Sequence, residues 1–198
     1  VPASGYAALY SNTTGSSNTA TGRNALKLNT SGAYNTATGV YALDANTTGL
    51  ANTASGYSAL GSTTSGHYNA AFGYLAGTAN TTANHNAFFG NFSGKSNTTG
   101  TMNVAAGSNA LHGNTTGGCN TASGYKALFA NTTGSYSTAV GGKALAANTT
   151  GNNQAFGTFA LQKNTTGTLN NGFGYAALEE NLTGDHNTAM GHAALNKN

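Results

Sequence analysis

Twelve glycines recur at a nearly constant interval along this chain of 198 residues, and this period limits the possible folds more than any other feature. The interval is 17 residues everywhere except between Gly141 and Gly157, where it is 16. Each glycine lies within a version of the unit N-T-A-x-G-x-x-A-L-x-x-N-T-T-G-x-x. The twelve are Gly5, Gly22, Gly39, Gly56, Gly73, Gly90, Gly107, Gly124, Gly141, Gly157, Gly174 and Gly191. A short unit repeated at a fixed period predicts a stack of similar coils.

One unit contains the signals for two short strands and two turns. In the second copy, residues 19–21 and 24–27 are predicted as strands, Gly22 separates them, and residues 29–32 close the unit. Glycine and asparagine are typical of turns because they tolerate positive φ, and glycine recurs too often here for helices. We therefore predict an all-β parallel β-solenoid of about twelve coils, forming one domain over residues 1–198. The array begins and ends inside the repeat without a capping unit, so we expect a segment of a longer fibre.

Composition agrees with a solenoid. Charged residues make up 6% of the chain, against about 25% in an ordinary soluble domain. Asparagine occupies the positions of both Asn29 and Asn18 in most units. Stacked coils place such residues directly above one another, which predicts two ladders of side-chain amides.

Substitutions between units predict which side chains share the core. Leucine fills the position of Leu26 in ten of twelve units, with Gly77 and Gly94 as the exceptions. Larger side chains appear in those same two units, which indicates that lost volume is restored within one core. The compensating pairs are Phe72 with Leu75 and Phe89 with Phe92. We therefore expect Thr21, Asn24 and Leu26 to face the core.

Strand alternation then turns Ala20 and Ala25 away from that core. A position that stays alanine in nearly every unit indicates close contact with another backbone, either a neighbouring chain or another strand layer. A unit with one leucine also gains little free energy from apolar burial compared with the entropy lost by ordering its 17 residues. Association with further copies would bury more surface, which favours a homo-oligomer. The predicted subunit-interface residues are Ala20, Ala25, Ala37, Ala42, Ala54, Ala59, Ala122 and Ala127.

The unit N-T-A-x-G-x-x-A-L, as in residues 18–26, 52–60 and 120–128, resembles the S-V-A-I-G-type repeats of YadA-like head domains. These domains belong to trimeric autotransporter adhesins, and related repeats occur in bacterial and phage surface fibres. The resemblance implies a left-handed β-roll, a homotrimer around a long axis, an extracellular location on a cell or virion, and a role in adhesion. Two features depart from the family: the longer unit of 17 residues, and Thr or Ser where a second core aliphatic is common, as at Thr21 and Ser55.

Few residues offer catalytic or metal chemistry. The acids Asp44, Glu179, Glu180 and Asp185 never recur in phase, and no Ser-His-acid set is evident, so we expect no enzyme and no cofactor. The five histidines give no ligand set, although His67 and His85 lie in consecutive units. Cys119 is the only cysteine, which excludes an internal disulfide. The seven basic residues form no run along the chain, and no apolar stretch is long enough for a membrane span, so we expect neither nucleic-acid binding nor membrane insertion.

Tyrosine is the candidate for ligand contact, because exposed aromatics with a polar tip are common in binding surfaces. Five tyrosines follow the repeat glycine directly: Tyr6, Tyr57, Tyr74, Tyr125 and Tyr175. The same rings have an alternative interpretation as cover for the alanine-rich roll or its subunit seam. A host surface, a matrix protein or a glycan is the expected partner.

Three functions remain open from the sequence. The first is a structural and adhesive segment of a trimeric surface fibre. The second is an ice-binding solenoid, because units such as Thr19-Ala20-Thr21 present rows of hydroxyls, although Phe72 and Phe89 interrupt them. The third is a passive stalk or filament subunit that has no ligand.

Overall fold

The computed structural model describes residues 1–197 as a continuous stack of coils. Each coil contributes one short strand, which pairs in parallel with the strand of the next coil. The strands are β1 (Ala3–Ser4), β2 (Thr19–Thr21), β3 (Thr36–Thr38), β4 (Thr53–Ser55), β5 (Ala70–Phe72), β6 (Ala87–Phe89), β7 (Val104–Ala106), β8 (Thr121–Ser123), β9 (Thr138–Val140), β10 (Gln154–Phe156), β11 (Asn171–Phe173) and β12 (Thr188–Met190). The predicted parallel β-solenoid is confirmed, with about eleven turns between β1 and β12 and no helix among the described residues.

The second strand predicted in each unit, at residues 24–27, is wrong. Leu26 has a left-handed backbone with φ of 50°, and the Ala25 N–H donates to the Gly22 carbonyl oxygen at 3.2 Å to close a tight turn. Stacking continues through this segment, because the Leu26 N–H donates to the Ala42 carbonyl oxygen of the next coil at 3.0 Å. Each coil is therefore one strand followed by turns that are bonded to the neighbouring coils.

The core contains the alanines as well as the leucines. Ala20, Ala25 and Leu26 have no exposed surface, whereas Thr21 is exposed and Asn24 is partly exposed. The expectation that Thr21 faces the core is therefore wrong. Ala20 lies on the inner side of β2, and the following turns direct both Ala25 and Leu26 inward, because alternation of side chains applies only to extended backbone.

The eight alanines predicted to contact a second chain are enclosed within one chain, which corrects that prediction. Each is 0% exposed: Ala20, Ala25, Ala37, Ala42, Ala54, Ala59, Ala122 and Ala127. Their small size has an internal cause. Gly172 occupies the place of Ala20 in its unit, and a Cβ added there would lie 3.2 Å from the Ala177 carbonyl oxygen and 3.4 Å from Leu161 Cγ. A larger side chain would force the strand away from the turns of its own coil.

Phe88 fills the space left by two missing leucines. It replaces the small inward residue of β6, beside the glycines that stand in the leucine column. A Cβ added to Gly77 would lie 2.6 Å from Phe88 Cδ2, and one added to Gly94 would lie 2.5 Å from Phe88 Cδ1. The expectation that Phe72 and Phe89 restore this volume is wrong, because they are 40% and 43% exposed, and their predicted partners are only partly buried.

Both predicted asparagine ladders are confirmed. Asn29 Nδ2 donates to Asn12 Oδ1 of the preceding coil at 2.7 Å and to the Gly32 carbonyl oxygen at 3.0 Å. In the second ladder, the Asn35 N–H donates to Asn18 Oδ1 at 2.9 Å. Most members of both columns are fully buried. The ladders therefore hold the turns of successive coils in register.

Candidate binding face

All seven basic side chains belong to one segment of the coil, the six residues after the repeat glycine. They are Arg23, Lys27, Lys95, Lys126, Lys143, Lys163 and Lys197. These residues are far apart in the sequence. Hydrogen bonds nevertheless stack this segment of each coil on the same segment of the next, as between the Leu28 N–H and the Asp44 carbonyl oxygen at 3.0 Å. The fold thus gathers the basic residues along one side of the rod, although they form no run in the sequence.

Aromatic rings form a continuous line of contacts on this side across six consecutive coils. We call this line the aromatic strip; it consists of Tyr41, Tyr57, Tyr74, Phe92, His112 and Phe129. The Tyr57 and Tyr74 rings stack with centroids 5.3 Å apart and planes inclined by 20°. Phe92 meets Tyr74 edge to face at 84°. This spacing follows the distance between coils, which is about 4.8 Å in parallel sheets.

Cations lie against the rings at several points. The Arg23 guanidinium is 5.0 Å from the Tyr41 ring centroid, and its Nη2 donates to the Tyr41 hydroxyl at 2.7 Å. Lys126 Nζ lies 5.4 Å from the Tyr125 ring and 5.2 Å from the Phe129 ring. These cation–π contacts place aromatic rings and positive charges on the same surface, and the attraction favours side-chain positions of Arg23 and Lys126 against the rings.

The five tyrosines predicted from the sequence lie on this side of the rod, but in different surroundings. Tyr57 and Tyr74 belong to the aromatic strip, and Tyr175 stacks on His192 at 5.2 Å. Tyr125 contacts Lys126, and Tyr6 is 80% exposed. The structure therefore brings only two of the five into one group.

Sequence reasoning missed the other members of the strip. Tyr41 and Phe92 are the second residues after their glycines, and His112 and Phe129 are the fifth. A search restricted to one column of the repeat could not find them, because the strip crosses three columns. One feature of the sequence could have indicated this side of the coil as a distinct surface: every Lys and Arg lies within the six residues after a repeat glycine.

Burial shifts the pKa values of His112 and Asp44 on this side of the rod. Burial of the imidazole and the charges of Lys95 and Lys126 lower the pKa of His112. Burial raises the pKa of Asp44, although Lys27 opposes the shift. Oδ1 of Asp44 is buried without a hydrogen-bond partner. Both shifts follow from partial removal of the groups from water.

The outward side of the sheet is a second distinct surface, which we call the sheet face. It consists of the first and third residues of strands β2 to β12, and no charged residue occurs among them. Hydroxyl rows such as Thr19 with Thr21 lie toward one end. Phe72 stacks on Phe89 at 5.3 Å, and further along Phe156 stacks on Phe173 at 5.0 Å.

The remaining candidate groups do not assemble into a site. His67 Nδ1 accepts a hydrogen bond from the Leu50 N–H at 2.9 Å, whereas His85 stacks on Tyr68 at 5.1 Å. Among residues 1–197, no three His, Cys, Asp or Glu side chains are placed to hold a metal ion. Cys119 is exposed and unpaired.

No helix in the described part of the chain has the length and apolar character needed to cross a bilayer. Comparisons with protein-family models, with curated proteins and with solved structures give no match to this chain.

Proposed function

We propose that this chain is a rod-like segment of an extracellular trimeric fibre, on a cell or virion, that attaches to its target through the aromatic strip. The observation that carries the proposal is the line of mutually contacting rings on the outside of six consecutive coils. The core does not require these rings, since alanine, leucine and Phe88 already fill it. Tyr57 and Tyr74 are exposed and the other four rings are half-buried, and a continuous apolar surface of this kind is typical of interaction sites.

A stiff rod with a repeated contact surface is suited to attachment. Each ring or cation offers a weak contact, and a partner that spans several coils engages many of them at once. Linked weak contacts raise the overall affinity far above that of one contact. Hydrogen-bonded asparagine ladders keep the coils in register, so the contacts remain at fixed spacing.

Bead retention tests the adhesive role directly. Beads coated with the protein would be passed over arrays of glycans and matrix proteins, and we expect retention on a subset of spots. Substituting Tyr57→Ser and Tyr74→Ser should reduce retention strongly. The matched control is Tyr34→Ser with Tyr136→Ser, because those tyrosines are exposed at 66% and 62% but lie outside the aromatic strip. Beads that are retained on no spot would favour a passive stalk.

The proposed left-handed roll would form its trimer through the sheet face, because the alanine columns are internal. This face is free of charge and carries the exposed rings of Phe89 and Phe156. Substituting both with threonine, the residue of β2 and β3 at that position, should dissociate the trimer in sedimentation experiments. Tyr136→Thr serves as the control. A monodisperse monomer of the unsubstituted chain would contradict the trimer.

Ice binding is a second candidate function, favoured by the regular hydroxyl rows of β2, β3 and β4 on the sheet face. Stacked coils repeat these rows at a constant spacing, as a match to an ice surface requires. The exposed rings of Phe72, Phe89 and Phe156 interrupt the array further along. A thermal hysteresis measurement tests this function. Activity in the unsubstituted protein that is lost in Thr38→Leu would support ice binding, and absence of activity in the unsubstituted protein would eliminate it.

A further inference from the structure

One stretch of the binding side is free of negative charge. No Asp or Glu occurs between Asp44 and Glu179, and the basic residues inside that interval are Lys95, Lys126, Lys143 and Lys163. Lys163 is paired with Glu180 at 2.8 Å. The other three have no acidic partner among the described residues. This stretch therefore presents uncompensated positive charge.

The three unpaired lysines lie against aromatic rings. Lys95 Nζ is 5.3 Å from the Phe92 ring centroid, Lys126 Nζ contacts Phe129, and Lys143 Nζ is 5.7 Å from the Phe159 ring. We call these three lysines, with the rings they contact, the cationic segment. Burial is the main cause of the lowered pKa of His112, and the nearby charges of Lys95 and Lys126 lower it further.

Ring orientation restricts what can bind beside these charges. His112 and Phe129 stack with centroids 5.1 Å apart and planes inclined by 22°, so each ring covers a face of the other and turns its edge outward. Ring edges carry partial positive charge. Edges and ammonium groups together therefore favour an anionic partner over one that stacks flat aromatic bases.

We propose that the cationic segment binds an anionic linear polysaccharide, whose carboxylate or sulfate groups pair with Lys95, Lys126 and Lys143. The inference rests on the proposed adhesive function and names its ligand class. Lys95 and Lys126 are two coils apart and Lys126 and Lys143 are one coil apart, which corresponds to about 10 Å and about 5 Å along the axis of the rod. An extended polysaccharide that is charged at every sugar or every second sugar has a similar spacing.

A nucleic acid fits the segment less well. Single strands bind proteins by stacking bases on exposed ring faces. In this segment His112 covers one face of Phe129, and Lys95 Nζ and Lys143 Nζ lie over the Phe92 and Phe159 rings. Duplexes need a dense row of cations to neutralise their phosphates, whereas this segment offers one lysine every one or two coils. The polysaccharide is therefore the occupant that charge spacing and ring geometry favour.

Two triple variants with equal net charge provide the test. The first, Lys95→Gln, Lys126→Gln and Lys143→Gln, removes the cationic segment. The second removes the remaining lysines, which contact none of these rings: Lys27→Gln, Lys163→Gln and Lys197→Gln. Binding of polygalacturonate, dextran sulfate, neutral dextran and a single-stranded oligonucleotide would be measured at low and high salt. Thermal melts would establish that both variants remain folded.

We expect the unsubstituted protein to bind polygalacturonate, dextran sulfate or both, and neutral dextran hardly at all. The first triple variant should weaken binding about tenfold, because each exposed pair contributes a factor of roughly two to five. The second should stay within about twofold of the unsubstituted protein, and high salt should weaken the binding of the anionic polysaccharides. Binding of neither anionic polysaccharide, equal loss in both variants, or tighter binding of the oligonucleotide would overturn the inference. Bead retention on a neutral glycan that depends on Tyr57 and Tyr74 would overturn it while leaving the proposed function intact.

Discussion

At the scale of single residues, the core leucines adopt a backbone conformation that L-amino acids rarely occupy. Leu26, Leu43 and Leu60 each have φ of 50° and no exposed surface. The left-handed region costs roughly 1–2 kcal/mol for such a residue. Tight turns and bonds to the neighbouring coils hold it there, and burial of the leucine side chain offsets that cost.

Substitution by alanine should affect stability very differently at two adjacent glycines. Gly141 has φ of 129°, and an added Cβ would lie 2.6 Å from the Gly157 carbonyl oxygen. Gly141→Ala should therefore destabilise the fold by roughly 1–3 kcal/mol or more, from backbone strain and a clash with the next coil. At Gly142 the nearest group is Thr158 Cγ2 at 3.8 Å. Gly142→Ala should leave stability nearly unchanged in denaturant titrations, and equal losses in the two variants would contradict the prediction.

Asp44 predicts a stability that depends on pH. Burial holds its folded pKa above the ordinary value of 3.8. Between the unfolded and the folded pKa, the folded protein keeps a proton that the unfolded chain has released, so stability falls as pH rises through that window. Asp44→Asn should therefore raise the melting temperature at neutral pH and have little effect below pH 3.8.

Asp185 is the matched comparison for Asp44. Its carboxylate accepts bonds from the Thr168 N–H at 2.6 Å and hydroxyl at 3.0 Å, and these lower its pKa. A group with a lowered folded pKa stabilises above its unfolded pKa, and this contribution is lost as the pH falls. Asp185→Asn should therefore lower the melting temperature at neutral pH, and a shift of the same sign in both variants would contradict the argument.

At the scale of elements, the asparagine ladder is interrupted where a unit departs from the repeat. Thr63 stands in the column of Asn29, and Asn46 Oδ1 below it is buried without a partner. The shorter unit leaves Asn131 Oδ1 in the same condition. An unpaired buried acceptor lowers stability by about 1–3 kcal/mol. Each departure from the repeat therefore leaves one buried amide oxygen of the ladder without a hydrogen-bond donor.

Replacing Thr63 with asparagine should repair one interruption. The new amide would donate to Asn46 Oδ1 and accept from Asn80 Nδ2, which now reaches the Thr63 hydroxyl at 3.2 Å. We expect Thr63→Asn to raise the free energy of unfolding by about 1 kcal/mol in urea titrations. Ser62→Asn is the control, because Ser62 is exposed. A gain at both positions would indicate a general effect of asparagine in this turn.

Phe88 and the two glycines beside it form a coupled packing element. Phe88→Ala should destabilise the fold by about 3–5 kcal/mol, since it empties the space that Gly77 and Gly94 leave. Adding Gly77→Leu and Gly94→Leu to that variant restores the residues of the other units and should recover most of the loss. The two leucine substitutions without Phe88→Ala should be strongly destabilising, because both would clash with the ring. Additive effects of the substitutions, measured as free energies of unfolding, would contradict this packing.

At the scale of the whole molecule, each coil contacts its neighbours and few other residues. Strands pair only with the strands before and after them. Stability in such arrays is a sum of unit terms and nearest-neighbour terms. The binding side therefore extends with the number of coils, while the core of each coil stays the same.

Deleting one complete unit should preserve the fold. Removing residues 107–123 joins Ala106 to Gly124, and the repeat continues in phase. We expect a folded rod that is shorter by about 4.8 Å in X-ray scattering. Removal of residues 107–115 alone breaks the phase and should unfold the neighbouring coils, as circular dichroism would detect. Equal tolerance of both deletions would contradict a stack held in register by its period.

The sequence by itself determined the stack of coils, the strand at residues 19–21 of the second unit and both amide ladders, because a constant period superimposes equivalent residues whatever the cross-section of the coil. It could not determine which way Ala25 and Leu26 point. That direction depends on a left-handed backbone at Leu26, which contacts with adjacent coils impose and local preference opposes. The role of Phe88 and the meeting of Tyr74, Phe92 and His112 likewise follow from the shape of the closed coil. Columns at different places in the repeat become neighbours only when the backbone between them has folded into turns.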